Sequence, residues 1–101
     1  MRKFEKYEID ILGSYWERLK EFEKVPQSEQ SAHMKKIVEG LNELYPTLDD
    51  DLKKIVQMRY WDKEECYEWE DIADEIGYSR TRTLRKRNVL LNKTADAIGF
   101  I

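Results

Sequence analysis

The sequence predicts an all-α protein, and three observations carry that expectation. Apolar residues recur at steps of three and four along most of the 101-residue chain, the spacing of a single helix face. Gly and Pro number only 4 and 2, too few for the turns of a many-stranded β fold. No stretch alternates apolar and polar residues as a half-buried strand does. The length suits one domain, since single domains run roughly 100 to 200 residues, and leaves no room for a multidomain enzyme.

The elements follow in order. From Phe4 to Glu23 a stripe of Phe4, Tyr7, Ile11, Leu12, Tyr15, Trp16, Leu19 and Phe22 predicts an amphipathic helix. Gly13 weakens it by about 1 kcal/mol relative to Ala, a cost that packing can override. Val25 to Ser31 has no apolar period and reads as a loop. A second helix is expected over about Ala32 to Leu44, with Met34, Ile37, Val38, Leu41, Leu44 and Tyr45 on one stripe. Pro46 stops it, because the residue before a proline is pushed out of helical geometry.

Thr47 or Asp49 then caps a third helix carrying Leu52, Ile55, Val56 and Arg59 or Tyr60. Its early acids suit the positive helix end. Trp61 to Tyr67 breaks the period and turns the chain. A short helix from Trp69 to Ile76 puts Trp69, Ile72, Ala73 and Ile76 on its inner face. Gly77 closes it in the left-handed conformation. Ser79 caps a long last helix, roughly Arg80 to Ile98, before Gly99.

Hydrophobic residues are 41% and charged residues 39% of the chain, the latter well above the ~25% of an average soluble domain. The formal charge of −3 by itself argues against a nucleic-acid partner, but it hides a division. Asp62 to Glu75 holds eight acids against one base, Lys63, a net of −7. Arg80 to Lys93 holds six bases and no acid, a net of +6. Blocks of opposite sign imply two surfaces with separate partners. The alternative is that they neutralise each other across a helix pair.

Other functions find little support. One Cys and one His cannot build a structural zinc site or a disulfide framework. No cofactor is implied. No apolar run approaches the ~18 residues of a membrane span, and the start lacks a signal peptide's apolar stretch. A cytoplasmic protein without a membrane partner is therefore expected. Cys66 sits among acids that disfavour a thiolate, and His33 reads as a lone surface residue. Glu64-Glu65 and Glu70-Asp71 are sequence neighbours, which do not share a helix face. No catalytic set emerges and no enzyme is expected. Trp16, Trp61 and Trp69 read as core anchors more than as stacking platforms.

The functional signal lies where the short acidic helix, the Gly77 turn and the basic helix meet. These are the parts of a helix-turn-helix, with Ala73 where the two helices cross. The second helix of such a unit enters the DNA major groove by its N-terminal half. Taking about 100° per residue and Leu84 as the core direction, Leu91, Ala95 and Ile98 face inward and Arg82, Lys86 and Lys93 face away. Arg82, Arg85 and Lys86 lie early enough to reach base edges, where arginine can bridge the O6 and N7 acceptors of guanine. Ser79, Arg80, Thr81, Arg87 and Lys93 complete the expected DNA-binding set, as backbone-positioning residues. The chain thus divides into an N-terminal helix and loop at 1–31 and a DNA-binding part at 32–101.

Leu48 to Gly99, about half the chain, resembles the region-four domain of bacterial sigma factors and, more closely, phage late-gene regulators of the RinA and ArpU type. The residues carrying the resemblance are Leu48, Ile55-Val56-Gln57-Met58-Arg59-Tyr60-Trp61-Asp62, the run from Trp69 to Arg80, and Leu90-Leu91 through Ala95 to Ile98-Gly99. It implies a promoter-binding transcription regulator of phage or prophage origin, with RNA polymerase as a further partner. Two positions depart from the pattern. Glu68 stands where Ser or Thr usually caps, and Thr83 and Lys86 stand where apolar residues are common. Either the helix is loosened or its face is shifted by one residue, with Leu84 inward; the face calculation favours the shift. Two rival functions stay open: a module that binds polymerase or a sigma factor through its acidic surface without touching DNA, and a phage packaging factor that marks a genome end. The N-terminal stripe either packs on the rest of the chain or pairs with a second copy to make a homodimer reading two half-sites.

Overall fold

The computed structural model describes residues 2–62, 64–65 and 67–100; Lys63 and Cys66, with the reading of Cys66 as a non-nucleophile, lie outside the described residues. Among the described residues the chain forms five α-helices: α1 (Lys6–Lys24), α2 (Ala32–Leu44), α3 (Asp50–Ile55), α4 (Trp69–Ile76) and α5 (Arg80–Ile98). No strand occurs among the described residues, so the all-α expectation holds.

Side chains that satisfy free backbone N–H groups set the helix starts. Ser31 accepts from the Met34 N–H at 3.1 Å, and Ser79 from the Arg82 N–H at 3.2 Å. Asp49 caps α3, taking the Leu52 N–H at 2.9 Å. Thr47, the other candidate, instead donates its hydroxyl to the Leu44 carbonyl at 2.7 Å. Glu68 stands at the start of α4, where its own N–H donates to the Asp71 carboxylate at 2.9 Å. Each such cap stabilises its helix by about 1 kcal/mol.

Helix α2 ends at Leu44, as expected. The reason differs, since Tyr45 keeps helical dihedrals before Pro46 and Tyr45–Thr47 adds one 3-10 turn beyond α2. Proline sits early in that turn, where its missing N–H has no partner to lose. The break expected over Trp61 to Tyr67 begins one residue later, at Asp62, because α3 runs on as a π-helical segment, Val56–Trp61. That segment packs against α1, and the Trp61 indole N–H donates to the Trp16 carbonyl at 3.0 Å.

The core draws on every helix. Leu12, Trp16 and Leu19 of α1 meet Ile37 and Leu41 of α2, Leu52 and Ile55 of α3, Ile72 of α4, and Leu90, Leu91 and Ile98 of α5. Each large apolar side chain so buried stabilises the fold by about 1.5–3 kcal/mol. Helix α1 is thus built into the body, contacting α2, α5 and the π-helical segment. The radius of gyration, 13.6 Å, matches the ~13 Å of a folded chain near 100 residues. Trp16 is fully buried, whereas Trp61 and Trp69 are half-buried. His33 is exposed, its ring edge-on to Tyr15.

Candidate nucleic-acid interface

Helices α4 and α5 are joined by Gly77, Tyr78 and Ser79. Gly77 has φ +80°, the left-handed region that costs a side-chain-bearing residue about 1–2 kcal/mol. Its N–H and that of Tyr78 both donate to the Ala73 carbonyl, at 2.9 and 3.0 Å, which closes α4. Ile72 and Ala73 are buried, and α4 packs against α5.

The inward face of α5 is formed by Thr83, Leu90, Leu91, Thr94, Ala95 and Ile98. Thr83 is fully buried and Leu84 only half-buried, so the one-residue shift that favoured Leu84 is wrong. A threonine can stand there because its hydroxyl donates to the Ser79 carbonyl at 2.9 Å. The polar atom is satisfied within its own helix and the methyl group is free to pack.

Measured from this face, Arg82 and Arg85 lie roughly 140° to 160° away. Both are exposed, as are Ser79, Arg80, Thr81 and Lys93. The bases differ in their pairing. Arg80 is bound to Glu70 at 2.7 Å and Lys86 to Asp51 at 3.1 Å. Arg82, Arg85 and Lys93 make no ion pair among the described residues. Arg80 with Glu70 is also the one pair among those residues that joins the acidic and basic blocks, since Glu75 is held by Lys54 at 2.7 Å. The blocks therefore leave separate surfaces and do not cancel.

Arg87 stands apart from the outward bases. Expected among the residues that position the DNA backbone, it is half-buried, with its guanidinium 5.5 Å from the Trp69 ring centroid. Burial above all lowers its pKa, and the nearby Arg59 and Arg80 cations add to the effect. Tyr78 was missed altogether. Its ring lies under the Arg82 guanidinium at 4.7 Å and the Lys86 ammonium at 5.0 Å, so it orients both cations. An aromatic followed by bases four and eight residues on was the available signal. Ser79 spends one lone pair as the cap and keeps its hydroxyl proton for an acceptor.

No helix among the described residues is long and apolar enough to cross a membrane. No protein-family model, curated protein or solved structure matches the chain.

Proposed function

We propose that the protein is a sequence-specific DNA-binding transcription regulator of phage or prophage type, built on a sigma region-four-like helix-turn-helix. The observation that carries this reading is the outward row of Thr81, Arg82 and Arg85, without carboxylate partners, just after the Gly77 turn and the Ser79 cap. On this reading the N-terminal half of α5 enters the major groove. Arg82 and Arg85 read base edges with their planar forks, and Lys86 reaches the same groove once it leaves Asp51. Ser79, Arg80 and Lys93 hold phosphates on either side, fixing register without reading sequence. Arg87 has no direct part.

Selection of bound sequences from a random duplex pool tests this. An enriched motif, lost in Arg82→Ala and Arg85→Ala, is expected. Binding that selects no motif and survives both substitutions overturns it. The polymerase-binding alternative keeps one specific support, the exposed acids Glu68, Asp71 and Asp74 of the α4 region. A polymerase pull-down beside the selection separates the two.

A further inference from the structure

A cavity of about 350 Å³ opens between α1, the π-helical segment and the inner side of α4 and α5. Its wall includes Lys6, Asp10, Arg59, Tyr60, Trp69 and Arg87, and none of the outward residues of α5. Arg59 and Arg87 both lie against the Trp69 ring, 5.2 and 5.5 Å from its centroid. Neither makes an ion pair among the described residues. Arg59 gives one N–H to the Tyr67 carbonyl at 2.8 Å, and Arg87 one to the Asn88 side chain at 3.2 Å. The Nε–H of Arg87 is buried with no acceptor. A buried donor without a partner is rare in folded proteins.

We propose that this cavity binds a small organic oxyanion, a carboxylate or a phosphate, held by Arg59 and Arg87 with the Trp69 ring as its wall. The chemistry is specific. A guanidinium fork matches two oxygens of such a group, and neither Arg59 nor Arg87 is held by a carboxylate among the described residues. The volume falls within the roughly 300–1,000 Å³ of small-molecule sites. Lys6, Arg59 and Arg87 line the cavity together with Asp10 and Glu17. Three cations against two anions leave a single net positive charge, which favours a monoanion over a polyanion. The site stands whether or not α5 binds DNA.

The test is a titration of the full chain with benzoate and with inorganic phosphate, against sodium chloride at matched ionic strength. The readout is the indole N–H resonance of Trp69. A saturable shift with either probe and none with chloride is expected, and the stronger probe identifies the anion class. Arg59 is exposed, so Arg59→Ala leaves the core alone and weakens binding roughly tenfold or more, the worth of a charge-assisted hydrogen bond. Arg87→Met keeps the stem against Trp69 and does the same; if that variant does not fold, Arg59→Ala decides. A response no different from chloride, or an Arg59→Ala variant that binds as tightly as the parent, overturns the proposal.

Discussion

The indole N–H of Trp16 donates to the Thr94 hydroxyl at 2.9 Å, and both side chains are fully buried, so α1 is pinned to α5 by a hydrogen bond inside the core. Thr94 passes its own proton to the Leu90 carbonyl at 2.8 Å, which completes the chain. Thr94→Val keeps the shape and strands the indole N–H. A buried donor left unpaired costs about 1–3 kcal/mol. Urea unfolding is expected to show that loss in Thr94→Val and little of it in Thr94→Ser. In Trp16→Phe, which has no donor to strand, the further cost of Thr94→Val is expected to shrink.

Gly13 poses the opposite problem to the usual helix glycine. Replacement by alanine gains about 1 kcal/mol of helix propensity, but the added Cβ would lie 2.7 Å from Tyr60 Cε1 and 3.2 Å from its Cζ. Tyr60, itself on the π-helical segment, is buried against α1, and its ring must shift to admit the added methyl group. Overpacking of this kind costs typically 1–3 kcal/mol, so Gly13→Ala is expected to be destabilising overall. A rise in the unfolding midpoint would show that the Tyr60 ring yields freely.

The fold was legible where local chemistry and burial agree. The bounds of α2, α4 and α5 follow from Ser31, Gly77, Ser79 and Gly99, residues whose caps and left-handed turns act over one helical turn. The π-helical segment was not legible, since nothing in Val56–Trp61 differs in composition from an α-helix and its register answers to packing on α1. The outward bases of α5 were legible as a charge run, but Thr83 and Arg87 were not. Each is polar by name and apolar by use: Thr83 through a hydroxyl satisfied in its own helix, Arg87 through a guanidinium stacked on Trp69. Arg87 also lies within about 60° of the inward direction from either Thr83 or Leu84, so a face count applied to the bases themselves would have found it.

Tyr60 makes a prediction about pH. Burial pushes its phenol up to about 12 from a usual value near 10, against the opposing pull of Arg87 and Arg59. The folded state therefore keeps a proton that the unfolded chain gives up first. Below about pH 10 both states are protonated and stability is indifferent to this group. As pH rises from 10 towards 12 the unfolded state is favoured, by about 1.4 kcal/mol for each pH unit. Ultraviolet titration is expected to show Tyr60 ionising last of the six tyrosines, after Tyr67, whose phenol is also raised by desolvation and nearby acids, with a parallel loss of stability. Tyr60→Phe should abolish the late step. If the late step persists in that variant, another tyrosine is responsible.

The pairing of the bases on α5 sets an order for their effects on DNA binding. Arg82 and Arg85 have no carboxylate to leave, so their full charge is available, and Arg82→Ala and Arg85→Ala are expected to cost about 1–3 kcal/mol each on a selected site. Lys86 is already held by Asp51 at 3.1 Å, with both side chains largely covered. Breaking that pair opposes its transfer to a phosphate, so Lys86→Ala should cost less. The decisive variant is Asp51→Asn, which removes the acid and leaves the ammonium beside the Tyr78 ring. It should bind DNA more tightly than the parent. The slope of log affinity against log salt should steepen by about 0.9, one further phosphate neutralised. Adding Lys86→Ala to Asp51→Asn should remove the gain. An Asp51→Asn variant with unchanged affinity and slope would place Lys86 outside the interface and leave Arg82 and Arg85 to read the groove alone.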